Sequence, residues 1–151
     1  MNGTTVIETG DDLFFLATEE NMRFMSELSK NQSRIENIMI AGGGIVGMTL
    51  ADKLSQKFST KIIEKDLIRS KYLSESLEDT VVLNDDISDE SLLDNEGIEE
   101  VDYFCSVTND DQMNILSAKL AKDLGAKKSI AIINKLSYRK LVSKEIDVVV
   151  S

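Results

Sequence analysis

The chain has 151 residues, enough for one hydrophobic core with a small extension but too few for a second catalytic domain. Its 27 acidic and 17 basic residues give a net charge of −10, which opposes binding to the phosphates of nucleic acids. There is no histidine, so a Ser-His-Asp triad and a histidine-ligated metal site are excluded.

Residues 1–30 predict a short ββα extension. Two brief apolar stretches flank a turn-rich segment, which is typical of a hairpin, and a helix is predicted over 19–28 with Thr18 as its N-cap. Residues 31–36 are predicted as a linker. The extension buries too little to fold alone, so it either docks on the main domain or ends a preceding one.

From residue 37 onward, apolar runs alternate with helix-period segments, which is typical of a parallel sheet covered on both faces. The predicted strands are 37–41, 60–64, 80–83, 102–107, 129–134 and 147–150. The predicted helices are 45–57, 67–77, 89–95, 111–124 and 136–143. In the fourth of these, the apolar residues predicted to share one stripe are Met113, Leu116, Leu120 and Leu124. The fold class is therefore α/β, a Rossmann-like doubly wound parallel sheet with strand order 3-2-1-4-5-6.

The first predicted strand runs directly into Gly42-Gly43-Gly44-Ile45-Val46-Gly47, the spacing of a dinucleotide-binding turn between a strand and a helix. Gly42 is expected to make the sharp turn. Gly44 is expected to let a pyrophosphate approach the backbone, and Gly47 to let the helix pack on the strand.

Groups around this turn predict contacts to the phosphates and to a ribose. The N–H groups predicted to bind phosphate oxygens belong to Gly44, Ile45 and Val46. Glu64, at the end of the second strand, is predicted to accept hydrogen bonds from ribose hydroxyls. Its charge repels a 2′-phosphate and favours NAD over NADP, a preference that Lys65 and Arg69 weaken.

The third strand ends beside the expected position of the adenine. Asp86 is predicted to accept a hydrogen bond from the exocyclic amine, and Ile87 to cover the ring. The alternative is that Asp85, Asp86 and Ser88 cap the helix that begins near Asp89.

The fourth strand ends across the switch point of the sheet, where ligands bind in open α/β folds. Thr108 and Asn109 are predicted to reach the ribose and phosphate, together with Asp110 beside them, and Asn114 to brace this loop. Capping of the next helix is the competing explanation, and both roles are compatible.

Other features predict structure without chemistry. Cys105 lies in an apolar strand and is expected to be an ordinary buried thiol, and the acidic stretch 85–100 is expected to be solvated surface, with no metal site. The longest uncharged stretch, 37–51, is too short and too rich in glycine to span a membrane. A single cysteine and the lack of a secretory signal pattern fit a reducing cytoplasm.

Several blocks occur in a characteristic order: the glycine turn, Glu64, Asp86-Ile87-Ser88-Asp89, Val107-Thr108-Asn109-Asp110-Asp111 and the segment 120–128. With them the chain resembles the TrkA family, the peripheral regulatory subunits of Trk potassium-uptake systems, which are built from RCK (KTN) domains. The resemblance covers nearly the whole chain.

This resemblance implies a domain organisation. The family has two tandem copies of a nucleotide-binding subdomain, each followed by a smaller subdomain. Residues 1–30 then match the tail of the first copy's small subdomain, and residues 37–151 the nucleotide-binding subdomain of the second copy. Two positions depart from the family pattern, since Ile132 stands where many members have arginine and Asp85 where they have glycine.

The resemblance also implies a function. The chain is expected to be a regulator and not an enzyme, to bind NAD or NADH, with ATP, ADP or AMP as alternatives, and to act on an integral-membrane potassium-translocating subunit. It is expected to pair with other RCK domains as a homodimer or larger oligomer, in the cytoplasm at the inner face of the plasma membrane. The rival hypotheses are a fragment of an NAD-dependent oxidoreductase, and an assembly half-site that binds no nucleotide, which Ile132 favours.

Overall fold

The computed structural model describes residues 35–142 and 145–150, together with Val6 and Thr18. The chain divides into two compact units, residues 1–34 and 35–151. The hairpin and the helix predicted within residues 1–30 lie outside the described residues. The boundary between the units falls inside the predicted linker, 31–36.

The second unit is built on one sheet of six parallel strands. The strands are β1 (Asn37–Ala41), β2 (Ser59–Ile63), β3 (Thr80–Leu83), β4 (Tyr103–Ser106), β5 (Lys128–Ile132) and β6 (Val148–Val150). Their order in space is β3-β2-β1-β4-β5-β6, so the predicted Rossmann-like α/β fold is confirmed. Because β1 lies between β2 and β4, the strand order reverses beside it, and the carboxyl ends of these strands meet at one edge.

Five α-helices connect the strands. They are α1 (Ile45–Ser55), α2 (Leu67–Ser76), α3 (Glu90–Asn95), α4 (Asp111–Asp123) and α5 (Leu136–Val142). Every strand and helix predicted from residue 37 onward is present, with ends that differ from the prediction by two residues or fewer. A one-turn 3₁₀-helix, Ile98–Glu100, was not predicted; Gly97 precedes it in the left-handed region, with φ +74°.

The core lies on both faces of the sheet because neighbouring strand residues point to opposite sides. On β1, Ile38 and Ile40 belong to one apolar cluster, whereas Met39 and Ala41 belong to the other. A strand covered on both faces is a continuous apolar run, as the sequence of β1 is. The site at its carboxyl end is therefore carried by the most deeply buried strand.

The predicted apolar stripe of α4 is confirmed in part. Met113, Leu120 and Leu124 pack against the apolar cluster on one face of the sheet, whereas Leu116 is 53% exposed, so the prediction is wrong for that residue. The fully buried face of the helix consists of small or polar residues. The residues on that face are Asp111, Asn114, Ser117, Ala118 and Ala121. Short side chains let the helix lie close to β4 and β5, and the polar ones are hydrogen-bonded, which removes the cost of burying them.

In the described part of the chain, the structure contains no helix with the length and apolar character that crossing a membrane requires.

Candidate functional site

The glycine turn has the backbone geometry that its spacing predicts. Gly42 adopts φ +106°, and a Cβ there would lie 2.8 Å from Cγ2 of Thr108. A Cβ at Gly47 would overlap the carbonyl oxygen of Gly42, because α1 packs directly on the turn. A Cβ at Gly44 would meet nothing within 4 Å, so this residue faces open space. Gly42 and Gly47 are therefore required by packing, and Gly44 is not.

The start of α1 differs from the other helix starts for which the structure shows a cap. Asp66, Asp89 and Asp110 each accept a backbone N–H at the first turn of α2, α3 and α4. Gly44 occupies the same position in α1, and no side chain among the described residues caps that helix. The N–H groups of its first turn, including those of Ile45 and Val46, are thus left to solvent or to a ligand.

The carboxylate of Glu64 stabilises the glycine turn through hydrogen bonds to backbone N–H groups. Its Oε2 accepts a hydrogen bond from Gly43 N at 2.8 Å, and its Oε1 accepts one from Asp66 N at 2.9 Å. Arg69 Nε donates to the carbonyl oxygen of the same glycine at 2.6 Å. The Gly43 backbone is therefore held at both its N–H and its C=O before any ligand arrives.

A cleft of about 350 Å³ opens at the carboxyl edge of the sheet, beside this turn. Its lining residues are Gly42, Gly44, Ile63, Glu64, Lys65, Asp85, Asp86, Ile87, Thr108, Asn109, Asp110 and Met113. The structure thus brings together every predicted site residue except Ile45, Val46 and Gly47. Arg69, which was expected to influence the choice between NAD and NADP, is not part of the wall.

Sequence reasoning missed three residues of the wall as site residues. Ile63 is the last residue of β2, and Met113 lies in the first turn of α4; apolar residues at such places are equally expected in the core. Asp85 was considered only as a helix cap and as a departure from the family pattern. Its place after β3, directly before Asp86, was the signal that could have identified it.

In the turn after β3, the carboxylate of Asp86 is hydrogen-bonded to another residue of the same turn. Asp86 Oδ1 accepts hydrogen bonds from the backbone N–H of Ser88 at 2.9 Å and from its hydroxyl at 2.7 Å. These bonds lower the pKa of Asp86, the backbone bond most. The N-cap of α3 is Asp89, so the alternative that Asp85, Asp86 and Ser88 cap this helix is wrong. Ile87 is 7% exposed and belongs to the core as well as to the wall.

The loop after β4 is braced as expected. The side chain of Asn114 bonds to the N–H, the C=O and the hydroxyl of Thr108. Asp110 Oδ1 caps α4 by accepting hydrogen bonds from the N–H groups of Gln112 and Met113. Capping and cleft lining therefore coincide in Asp110.

The chemistry of the wall suits binding. Four carboxylates against one ammonium, that of Lys65, offer acceptors for hydroxyl and amine hydrogens, while the donors for a phosphate are backbone N–H groups. Cys105 is 5% exposed, and burial raises the pKa of its thiol to about 12, so it is no nucleophile. Within residues 35–142 and 145–150, no three potential metal ligands converge.

Ile132, the position of the departure from the family pattern, is the last residue of β5. Its side chain packs against the apolar cluster around Ile40 and Leu73, and it does not line the cleft. Its carbonyl oxygen accepts a hydrogen bond from Asn114 Nδ2 at 2.8 Å.

Comparison with known proteins identifies similar chains. The profile of the TrkA-N domain family matches residues 38–151. The Trk system potassium uptake protein TrkA of Vibrio alginolyticus is 45% identical over 151 residues, which are 99% of this chain and 33% of that protein. The chain thus spans about a third of the length of such relatives.

Solved structures share the fold. The GsuK channel bound to NAD superposes with a TM-score of 0.67 at 16% identity, over 87% of this chain and 25% of that one. The crystal structure of GsuK bound to ADP gives the same TM-score and identity, over 87% of this chain and 37% of that one.

Proposed function

Because this chain belongs to the TrkA-N domain family, we propose that it is a regulatory module that binds a nucleotide and controls potassium transport. The observation that carries the proposal is the start of α1. The N-terminus of this helix has no side-chain cap and lies beside the cleft. Gly44, at the N-cap position, has no side chain to block the space next to these N–H groups. This arrangement favours a phosphate, since the helix dipole and free N–H groups both attract an anion.

The ligand is NAD or NADH, with ATP, ADP or AMP as the alternatives. Support comes from Glu64 and Asp86, whose carboxylates line the cleft on the side of β2 and β3, where a ribose and an adenine amine need acceptors. A structurally similar channel has been seen with NAD and with ADP. The acidic wall disfavours NADP, because its extra 2′-phosphate would lie among carboxylates.

Regulation needs no bond to be made or broken. A nucleotide that binds two arrangements of the domain with unequal affinity shifts their populations, and a coupling of ~1–3 kcal/mol is typical. The partners are an integral-membrane potassium-translocating subunit and other RCK domains, in a homodimer or larger oligomer. The module acts in the cytoplasm, at the inner face of the membrane that holds the transporter.

An enzymatic role is disfavoured by the residues of the cleft. Hydride transfer between a nicotinamide and a carbonyl compound uses a group that donates or accepts a proton beside the substrate. The sequence has no histidine, and Cys105 is buried with a raised pKa. An oxidoreductase fragment would therefore have to use a carboxylate or Lys65 of the cleft as that group.

The second candidate function is an assembly half-site that has lost its nucleotide. The observation in its favour is the excess of carboxylates over cations in the cleft, together with Ile132 at a position where many members of the family have arginine. An anionic ligand must then be held by backbone N–H groups and Lys65 alone.

A chimaera tests the proposed function. This chain replaces the aligned 151 residues of the Vibrio alginolyticus relative in cells that lack their own Trk regulator. We expect potassium uptake to be restored, and to be lost when Gly44→Val fills the open side of the turn. If uptake is restored equally by both forms, the assembly half-site is the better account. A chimaera that accumulates as a folded protein without restoring uptake contradicts both functions.

A further inference from the structure

We propose that the side chain of Asn114 couples the nucleotide cleft to the β5–α5 connection, residues 133–135, so that filling the cleft changes the start of α5. The inference rests on the proposed function, because it concerns how occupancy of that same cleft is transmitted. Three features of the structure around Asn114, together with the position of Thr108, support it.

The first feature is that Asn114 joins two places through a single planar amide. Its Nδ2 donates to the carbonyl oxygen of Thr108 at 2.9 Å and to that of Ile132 at 2.8 Å. Its Oδ1 accepts from the N–H of Thr108 at 2.9 Å and from its hydroxyl at 2.6 Å. Thr108 lines the cleft, whereas Ile132 ends the neighbouring strand β5 and does not.

The second feature is the burial of this amide, which prevents it from exchanging partners with water. Asn114 is completely buried, as are Ser106 and Ser117 beside it. Ser106 Oγ donates to Asn114 Oδ1 at 3.1 Å and lies 2.7 Å from Ser117 Oγ. Leaving a buried amide unpaired is costly, so a displacement of Thr108 moves the amide with it instead of breaking its bonds.

Thr108 is also placed to sense the ligand. Its Cγ2, N and Cα lie 2.8 to 3.1 Å from the point where a Cβ of Gly42 would be. The loop after β4 thus rests directly on the glycine turn, and both segments line the cleft. A nucleotide that binds at the turn therefore lies beside Thr108 and can displace it.

The third feature is a parallel link one turn earlier on α4. Asp111 is buried, and its carboxylate accepts hydrogen bonds from the N–H of Asn134 at 3.1 Å and from that of Lys135 at 2.8 Å. These two residues directly precede α5, which begins at Leu136. The start of α4 is therefore hydrogen-bonded to the loop after β4 through Asn114 and to the residues before α5 through Asp111.

Backbone amide NMR shifts during titration of the whole chain test the coupling, with ADP and NADH as separate probes. We expect either probe to shift the resonances of Gly44 and Thr108, which line the cleft, and also those of Asn134 and Lys135, which do not. In Asn114→Ala, the shifts of Gly44 and Thr108 persist at higher ligand concentration, and those of Asn134 and Lys135 become smaller, because only the bonds to Asp111 still join these two residues to α4.

Ser117→Ala is the matched control. Ser117 belongs to the same helix and the same buried cluster, but it bonds to neither Thr108 nor Ile132. It is expected to keep all four shifts. Should Asn114→Ala fail to fold, Asn114→Leu replaces it, because leucine has a similar shape, leaves no cavity and carries no group that bonds to Thr108 or Ile132.

The outcomes separate this inference from the proposed function. Shifts of Gly44 and Thr108 in the wild-type chain without shifts of Asn134 and Lys135 overturn the coupling alone. Shifts of Asn134 and Lys135 that keep their full size in a folded Asn114 variant also overturn it, because the signal then travels without Asn114. No shift at Gly44 or Thr108 with either probe overturns the binding of ADP and NADH, and with it the coupling proposed for them.

Discussion

The glycines of the turn differ in what an added side chain would meet, so substitutions at these positions separate folding from binding. Gly47→Ala places a methyl group against the carbonyl oxygen of Gly42, a backbone atom that cannot move cheaply. We expect a loss of about 1–3 kcal/mol in the free energy of unfolding. Gly44→Ala places its methyl group in open space, and we expect a loss below about 1 kcal/mol, mainly from poorer capping.

Under conditions where both variants are folded, we expect the opposite order for nucleotide affinity: Gly44→Ala binds more weakly than Gly47→Ala. The methyl group of Gly44→Ala stands where a phosphate approaches the helix start, and we expect about tenfold weaker binding, equivalent to 1.4 kcal/mol. Urea denaturation and calorimetric titration measure the two effects. Equal destabilisation by both substitutions, or undiminished affinity in Gly44→Ala, would count against this account of the turn.

Glu64 is predicted to decide between NAD and NADP. Glu64→Gln removes the charge that repels a 2′-phosphate but also removes one acceptor from the N–H groups of Gly43 and Asp66. We expect NADH to bind more weakly and the ratio of NADPH to NADH affinity to rise. Glu75→Gln makes the same change of charge on the exposed face of α2 and serves as the control. An unchanged ratio in Glu64→Gln would remove Glu64 from the site.

Individual site residues were predictable where their position on the sheet decides their role. Asp86, Thr108 and Asn109 follow strands that end at the switch point, and topology alone brings them to one edge. Met113 was not predictable, because a methionine in the first turn of a helix is as common in a core as in a cleft. The hydrogen bond from Gly43 N–H to Glu64 was not predictable either, because it depends on the side-chain conformation of Glu64, which the sequence spacing does not determine.

At the level of elements, the start of β1 is held in place by hydrogen bonds to a carboxylate that lies just outside the neighbouring strand β4. Asp102, just before β4, accepts hydrogen bonds from the N–H groups of Asn37 and Glu36 at 2.9 and 2.7 Å and pairs with Lys127 Nζ at 2.6 Å. These contacts lower its pKa from 3.8 to about 2, the bond from Asn37 most. The clamp lies at the opposite edge of the sheet from the cleft.

This clamp predicts a pH dependence of stability. Because the folded-state pKa of Asp102 lies below its ordinary value, its contribution is complete above about pH 4 and is lost as the pH falls through about 2. Asp102→Asn is expected to cost about 1–3 kcal/mol at pH 7, since the amide cannot satisfy all three donors. Urea denaturation of both forms from pH 7 to pH 2 checks this. A difference that stays constant down to pH 2 would contradict it.

The order and type of the elements were predictable, whereas one helix face was not. Alternating strands and helices leave few parallel topologies, because crossovers are right-handed and short. The buried face of α4 escaped prediction since Asn114 and Ser117 are polar, and a rule that places apolar residues inside assigns them to solvent. Their burial is possible only because strand ends supply partners, which is a tertiary property.

At the scale of the whole molecule, electrostatics sets the terms on which a nucleotide binds. A net charge of −10 and an acidic cleft both repel phosphates, so an anionic ligand depends on short-range donors: the first turn of α1 and Lys65. This balance distinguishes the sensor from the assembly half-site more sharply than the fold does, because both functions use the same six-stranded sheet.

The most direct test is calorimetric titration of the chain with NADH, NAD, ATP, ADP and AMP in turn. The account predicts saturable heat with one site per chain for at least one of these ligands, and loss of most of that affinity in Gly44→Val. Absence of heat with all five, at ligand concentrations far above those of the cell and confirmed by an unchanged unfolding temperature, would contradict it.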